Sequence, residues 1–509
     1  MSTKNFTRRQ ALHAISLAFL GTQFSCTSTG SRETAKYPVQ STHYLTLHEV
    51  AALIKRGAIS SKELTKEILD RIARLDGHLN SYITIMADTA MAAADQMDKE
   101  LLEGKYRGPL HGIPIGVKDL LYTTNAPTTG SHAFNLKFIA PFNATVIDKL
   151  EAAGAIIIGK LNLTEGALGG YNSTWRIPKN PWGDDLFTGM SSSGSGVATA
   201  AGLCFASIGT DTGGSIRYPS CANGIVGLKP TYGLVSRYGV MPLSESLDHV
   251  GPMTRSTLDA AIMLEVIGGH DANDPTSINS QPLDLTSSID KGIKGLRIGV
   301  DDYLKMGATP QVAAAVEDAV RQLELLGAVV VPIKWPDNKS DRDRHWFTIC
   351  SKEAFEANRK TFPSRKSEYG DYFADALEAG SKVSEADYRA ALKFKSEFAV
   401  SFRKLLAEVD AVAAPGGGIA KGVSDELWRK KHSEGVLGTF GHLLGMHFCN
   451  PSNLAGTPTL SLPCGKAANG LPPPGFQLIG NALTEATLCR IGYAYEQATS
   501  WNNQHPDLS

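Results

Sequence analysis

Short runs rich in β-branched residues alternate with helical patterns from residue 111 to the end of the chain, and this alternation constrains the fold most. Strand-like runs occur at 113–117, 155–158, 296–300, 329–332, 411–415 and 459–463. Apolar residues recur at helical spacing at 146–153, 311–326 and 485–498. Because strands that alternate with helices form a sheet covered by those helices, we predict an α/β fold with helices on both faces of the sheet.

The composition is typical of an ordinary soluble globular protein. A length of 509 residues favours one large domain or two domains. Lys and Arg together number 50 and Asp and Glu 51, so the net charge is −1. Without a basic excess, we expect neither a nucleic acid nor an anionic membrane surface as a partner. Beyond the N-terminal region no apolar run is long enough to span a membrane, so none is expected in the mature protein.

The N-terminus differs from the rest of the chain. Arg8 and Arg9 precede an apolar run at 11–24, and small polar residues follow. This pattern is typical of a twin-arginine export signal, which predicts export to the periplasm. Two alternatives stay open. Cys26 is less favoured as a lipid-attachment site because the residues before it form a poor lipobox, and the segment can also be an ordinary amphipathic helix.

The most unusual stretch of the chain is TGMSSSGSG at 188–196, where five of nine residues carry hydroxyl groups. Such a composition suits a loop with many hydrogen-bond donors, followed by a helix at 197–203. Serine and glycine are also common in flexible linkers. The position of this stretch argues against a linker, because it lies in the middle of the folded region and leads directly into an apolar helix.

A second glycine-rich element, GTDTGGSIR, occupies 209–217. Two glycines before Ser215 let the backbone turn so that successive N–H groups face one point. This arrangement suits an oxyanion hole, where preformed donors stabilise the charge that develops on an attacked carbonyl. A phosphate-binding loop would use N–H groups in the same way, but neither GxxxxGK[ST] nor GxGxxG occurs in the chain.

The third element is Lys118, which follows the apolar run at 113–117. Taken alone, a lysine there is more typical of a solvated strand end. As a base for a serine nucleophile it must be neutral, and burial would lower its pKa from about 10.4. Asp119 would oppose that shift, so we expect its carboxylate to point elsewhere. A Ser-His-Asp triad is less favoured because no GxSxG occurs and the histidines are scattered.

Together these elements resemble the amidase signature family. The family's serine-rich loop corresponds to 189–195, its Gly-Gly-Ser-x-Arg motif to 213–217, and its Lys-Asp pair to Lys118 and Asp119. The resemblance extends to GLKPT at 227–231, NLAGTP at 453–458 and GFQLIG at 475–480, so it covers most of 45–500. It implies the amidase signature fold, with a large mixed central β-sheet covered by helices on both faces.

The resemblance also implies the catalytic residues. Ser215 corresponds to the nucleophile, Ser191 to a middle serine that the family holds through a cis peptide, and Lys118 to the base. The oxyanion-hole donors it implies are the N–H groups of Thr212, Gly213, Gly214 and Ser215. The supporting residues we predict are Ser192, Asp211 and Arg217; a mutual or backbone-supporting contact is expected for Asp211 and Arg217.

Met190 and Ser193 depart from the family pattern, in which glycines occupy both positions. Neither change removes a hydroxyl or an amine that the mechanism needs. Met190 would narrow the site or reshape the backbone that leads to Ser191. The two departures therefore bear on substrate specificity more than on catalysis.

The function implied is hydrolysis of a carboxamide C–N bond to an acid and ammonia or an amine, through an acyl-serine intermediate. The alternatives are the amidase subunit of a tRNA-dependent amidotransferase, which would need cytosolic residence, and an inactive binding protein on the same fold. We expect a small-molecule amide as substrate, and neither a metal nor a cofactor. No CxxC pair occurs, which argues against a zinc-ribbon or thioredoxin-type site. Which amide it is stays open, as does the oligomeric state, a homodimer included.

The predicted organisation follows from these assignments. It comprises an export signal at 1–30, a linker at 31–45, an amidase domain at 46–500 with a variable, mostly helical specificity region at 340–450, and a tail at 501–509.

Overall fold

The computed structural model describes residues 42–302, 308–336, 338–416, 448–468 and 470–508. The predicted export signal and Cys26 lie outside the described residues, as do most of the predicted linker and residues 417–447 of the specificity region. Residues Thr42–Ser509 group into one compact unit. Within the described part of this unit, no helix is long and apolar enough to cross a membrane.

An eleven-stranded mixed sheet forms the centre of this unit. In spatial order the strands run β1-β3-β2-β4-β6-β5-β10-β11-β9-β7-β8. β2 lies parallel to both β3 and β4, whereas β6 is antiparallel to β4 and β5. The strands are β1 Tyr82–Ile85, β2 Pro114–Lys118, β3 Ile156–Leu161, β4 Ala206–Asp211, β5 Val226–Lys229, β6 His249–Thr254, β7 Arg297–Val300, β8 Val329–Pro332, β9 Ala411–Pro415, β10 Thr459–Pro463 and β11 Gly475–Ile479.

Helices cover both faces of the sheet, as predicted. Two of them begin with the capping boxes of Thr46 and Ser60, whose side chains accept hydrogen bonds from backbone N–H groups of the first turn. The helices are α1 Leu47–Lys55, α2 Ser61–Leu79, α3 Ala87–Leu102, α4 Thr145–Ala152, α5 Ser193–Ala200, α6 Arg217–Asn223, α7 Thr257–Ile267, α8 Pro310–Leu325, α9 Lys339–Asn358, α10 Asp371–Ser381, α11 Glu385–Leu406, α12 Asn450–Ala455 and α13 Glu485–Ala498.

All six predicted strands are present, and the three predicted helices lie within one residue of their expected bounds. The helix predicted at 197–203 begins earlier, at Ser193, so the serine-rich stretch is only partly a loop. Ser193 and Ser195, the last serines of this stretch, lie in the first turn of the helix. Serine is tolerated there because the backbone N–H groups of the first turn have no intrahelical acceptors. Ser195 satisfies a backbone group, since its hydroxyl donates to the Ile208 carbonyl at 3.2 Å.

Both ends of the described unit pack on the domain. The predicted linker ends early, because Thr42–Tyr44 forms a 3₁₀ turn. The ring of Tyr44 stacks on His505 with 4.3 Å between centroids, and its hydroxyl donates to the Pro506 carbonyl at 3.1 Å. The predicted tail therefore joins the domain through the segment that precedes α1.

Candidate active site

Two adjacent parallel strands bring Lys118 to the same sheet edge as the glycine-rich loop. Lys118 is the last residue of β2, and β4 runs beside it with Val117 opposite Ile208. Because the carboxyl ends of parallel strands lie at one edge, Thr210 near the end of β4 comes next to Lys118. The loop that carries Ser215 begins directly after β4.

Three hydroxyl groups surround the Lys118 amine. Its Nζ lies 2.7 Å from Ser191 Oγ, 2.9 Å from Ser192 Oγ and 2.8 Å from Thr210 Oγ1. Ser192 donates its own hydrogen to the Thr210 carbonyl at 3.1 Å, so it can only accept from the amine. A neutral amine has two hydrogens and one lone pair, and the lone pair then faces the hydroxyl of either Ser191 or Thr210.

Burial makes this amine a base near neutral pH. The Lys118 side chain is fully buried, and that burial lowers its pKa from 10.5 to about 7, although Asp248 and Asp211 act in the opposite direction. Asp119 does not raise the pKa of Lys118, because its carboxylate points elsewhere, as we predicted from the sequence. Its carboxylate pairs with Lys160 at 3.1 Å and accepts from the backbone N–H of Thr129 at 2.9 Å.

The loop that carries Ser215 is held by a buried ion pair. Arg217 donates from Nε and Nη2 to the two carboxylate oxygens of Asp211, at 3.0 Å and 2.9 Å. Burial alone would raise the pKa of Asp211, but the charge and hydrogen bonds of Arg217, the charge of Lys229 and the hydrogen bond of Asn453 together hold that pKa below its usual value. Asn453 joins the pair, because its amide accepts from Arg217 and donates to Asp211. The mutual contact predicted for Asp211 and Arg217 is therefore confirmed.

The Asp211 carboxylate also accepts backbone N–H groups of the loop, and this corrects one prediction. Gly214 N–H donates to Asp211 Oδ1 at 2.8 Å and is therefore not free to face a substrate. For the N–H groups of Gly213 and Ser215, no partner is found in the part of the chain that the structure describes. Of the four predicted oxyanion-hole donors, Gly214 is thus already engaged within the protein.

The serine-rich stretch and the Ser215 loop meet at one cavity. Met190 and Ser215 both line it, and the peptide between Met190 and Ser191 is cis, as the resemblance implies. Gly189 packs so closely on Pro219 of α6 that a Cβ would lie 2.3 Å from the Pro219 Cα. The remaining lining residues are Ala167, Leu168, Thr212, Gly213, Gly214, Tyr218, Leu243, Trp346 and Cys449.

The family model described as Amidase matches residues 63–489 of the chain. The chain belongs to the amidase family. This amidase is a hydrolase that acts on carboxamide C–N bonds. The match begins within α2 and ends within α13, so it includes the whole sheet and every element of the site described above.

Proteins related to this amidase match about nine-tenths of its length. AmiD of Mycobacterium tuberculosis is 40% identical over 470 residues, which cover 91% of this chain and 96% of that protein. A glutamyl-tRNA(Gln) amidotransferase subunit of Thermosynechococcus vestitus is 37% identical over 488 residues, with 91% and 99% covered. The X-ray structure of peptide amidase from Stenotrophomonas maltophilia has a TM-score of 0.78 at 31% identity, covering 90% of this amidase and 97% of that chain.

Sequence reasoning missed three residues of this site. Thr210 lies on β4, a strand that the sequence did not indicate, so nothing along the chain predicts its place beside Lys118. Asp248 accepts from Thr212 Oγ1 at 2.6 Å and lies just before β6, the antiparallel neighbour of β4. Trp346 lies on α9, within the predicted specificity region. Only a correct strand pairing would have identified Thr210 and Asp248, and no local pattern marks Trp346.

Proposed function

We propose that this amidase uses Ser215 as nucleophile, Ser191 as proton relay and Lys118 as base. The observation that carries the proposal is the fully buried Lys118 amine with its pKa near 7, 2.7 Å from Ser191 Oγ. A serine hydroxyl is a weak nucleophile until a base removes its proton. A buried lysine can act as that base because a large part of it is uncharged at neutral pH.

The reaction then proceeds in two halves. Ser215 Oγ attacks the amide carbonyl, while its proton passes to Ser191 Oγ and the Ser191 proton passes to the lone pair of Lys118 Nζ. The ammonium of Lys118 returns a proton through Ser191 to the leaving nitrogen, and the C–N bond breaks to leave an acyl ester on Ser215. Water then attacks this ester while its proton passes through Ser191 to Lys118. The Ser215 Oγ–C bond breaks, Ser215 Oγ regains a proton through Ser191, and the acid leaves.

The negative charge that forms on the carbonyl oxygen needs donors that are fixed before the reaction. The N–H groups of Thr212, Gly213 and Ser215 fit this role, since they belong to the loop that Asp211 holds in place. We leave Gly214 out because its N–H donates to Asp211.

The lining of the cavity favours an uncharged, apolar acyl group as substrate. Of the lining residues that the structure describes, none carries a charge, and Leu168, Met190 and Trp346 supply apolar surface beside Ser215. A free amino acid amide such as glutamine would place an ammonium and a carboxylate against this surface without partners, which is costly. The similarity to the peptide amidase of Stenotrophomonas maltophilia also supports a peptide amide as a substrate to test.

Ammonia release by the purified protein from a matched set of primary amides tests this substrate class. We expect kcat/KM for phenylacetamide, butyramide and a peptide amide ending in phenylalanine to exceed that for glutamine by at least about 10-fold, as one poorly matched polar group costs about 1–3 kcal/mol. The carboxylic acids of the same series serve as product controls. A preference for glutamine would contradict the proposal and favour a role in a tRNA-dependent amidotransferase.

We also propose that the chain is exported through the twin-arginine route to the periplasm. The support is the sequence alone, in which Arg8 and Arg9 precede the apolar run at 11–24. Export would separate this amidase from the cytosolic tRNA substrates of an amidotransferase.

Changing Arg8 and Arg9 together to lysine should block export, because the route reads the arginine pair and not its charge. Immunoblots of periplasmic and cytoplasmic fractions would show the chain only in the cytoplasm. Changing Lys4 to arginine, which alters a basic residue outside the pair, is the matched control and should leave export intact. Periplasmic accumulation of the double-lysine variant would refute this route.

A further inference from the structure

The indole of Trp346 contacts the loop of Ser215 from a helix far away in sequence. Trp346 lies on α9, and its Nε1 donates to the Thr212 carbonyl oxygen at 2.9 Å. That carbonyl and the Gly213 N–H belong to the same planar peptide unit. In a trans peptide unit the C=O and N–H bonds point in opposite directions, so a fixed carbonyl also fixes the direction of the N–H.

Two further contacts hold this peptide unit. The indole lies against Gly213 so closely that a Cβ on this residue would lie 2.6 Å from Trp346 Cζ2. On the other side, the hydroxyl of Thr212 donates to Asp248 Oδ1 at 2.6 Å. Asp248 in turn accepts the backbone N–H groups of Leu243 and Ser244, both at 2.9 Å, and is therefore itself held in place.

We propose that Trp346 is a positioning residue that orients the Gly213 N–H in the oxyanion hole. The inference rests on the proposed role of Ser215. When the carbonyl of a peptide unit accepts a hydrogen bond, the N–H of the same unit becomes a stronger donor, because hydrogen bonds in a chain polarise one another. Trp346 therefore acts on the charge of the transition state through Gly213, although it belongs to the helical region that otherwise shapes the substrate pocket.

A positioning role predicts a loss in kcat with little change in KM. Deleting one oxyanion-hole donor lowers kcat by about 10²–10³-fold. Trp346→Phe leaves the Gly213 N–H in place but removes its anchor, so we expect a smaller loss, about 10–100-fold in kcat, with KM within about 3-fold. The matched control is Trp335→Phe: this tryptophan is buried, packs on Phe402 with 5.1 Å between centroids, and lines no part of the cavity at Ser215.

A shape-preserving replacement separates the hydrogen bond from the packing. Introducing 3-benzothienylalanine at position 346 keeps the volume of the indole and replaces its N–H with sulfur. We expect the same direction of change in kcat as for Trp346→Phe, with a melting temperature equal to that of the wild type. Affinity for a peptide aldehyde, which forms a tetrahedral adduct with Ser215, should fall in parallel with kcat/KM, whereas affinity for the carboxylic acid product should not change.

The outcomes distinguish this inference from the proposed catalytic roles. If Ser215→Ala retains activity, the catalytic roles are wrong whatever Trp346 does. If Ser215→Ala is inactive and the 3-benzothienylalanine variant has wild-type kcat and aldehyde affinity, only the inference is wrong. A change confined to KM would overturn it too, because Trp346 would then act as a wall of the substrate pocket and not through Gly213.

Discussion

Ser215→Ala is expected to lower kcat/KM for amide hydrolysis by about 10⁴-fold or more while leaving the fold intact. The variant lacks the atom that would carry the acyl group, so the remaining oxyanion-hole donors could assist only direct attack by water. Ser215 is partly exposed at the cavity and its side chain makes no hydrogen bond to the described residues, so removing its hydroxyl should cost little stability. Ammonia release and a thermal melt measure both effects.

Ser195→Ala is the matched control for this experiment. Ser195 belongs to the same serine-rich stretch, but its hydroxyl donates to the Ile208 carbonyl and is not among the three hydroxyl groups hydrogen-bonded to the Lys118 amine. Its loss should leave kcat/KM within about 10-fold of the wild type. A fluorophosphonate probe should attach to the peptide that contains Ser215 in the wild type and in Ser195→Ala. Attachment to another residue, or an active Ser215→Ala, would show that a different group is the nucleophile.

The strands that the sequence marks most clearly are those with continuous β-branched runs. β3 and β8 are of this kind. β4 and β6 were missed because glycine, proline and polar residues interrupt ASIGTD and HVGPMT, and such residues are rare in strands. Both strands are fully buried in the sheet, where pairing with neighbours outweighs the weak local preference.

The same distinction applies to the site. Ser191 and Ser215 belong to short motifs of unusual composition, whereas Lys118 is singled out only by the resemblance to the amidase signature family; the structure places its amine beside Ser191. Thr210 depends on the pairing of β2 with β4, and Trp346 is 134 residues from the Thr212 carbonyl that it contacts. The hydrogen bond from the Gly214 N–H to Asp211 could not be predicted either, because it depends on the backbone conformation of the loop that contains Gly213 and Gly214. Groups that meet only after folding leave no pattern along the chain.

Lys118→Met should lower kcat/KM by about 10³–10⁴-fold at neutral pH, because methionine fills the buried space of the lysine but cannot accept a proton. In the wild type, activity requires the neutral amine. Log kcat/KM should therefore rise with unit slope up to about pH 7, where half of Lys118 is neutral, and then level off. The residual activity of Lys118→Met should lack this rise near pH 7. Initial rates across about pH 5–9 with one primary amide would measure both profiles.

Two variants test whether the loss of activity and the rise near pH 7 come from proton transfer to Lys118. Lys118→Arg keeps a positive charge with a pKa far too high for a base, so it should be as inactive as Lys118→Met if proton transfer is what matters. Asp248, whose pKa is raised by burial to about 6, titrates in a neighbouring range. Asp248→Asn should keep the rise but shift it to lower pH, because the charge of Asp248 raises the pKa of Lys118. If the rise disappears in Asp248→Asn, the titration belongs to the carboxylate and not to Lys118.

Stability gives an independent measure of the same pKa. Folding lowers the pKa of Lys118 from 10.5 to about 7, so between these values the unfolded chain binds a proton that the folded protein has lost. The free energy of unfolding of the wild type, relative to Lys118→Met, should therefore rise as the pH increases from about 7 to 10.5 and be constant below that range. The total rise is on the order of 5 kcal/mol. Urea unfolding of both proteins at several pH values measures it. A difference that does not change with pH would mean that the folded protein keeps Lys118 charged, and an ammonium at this place could not take the proton from Ser191.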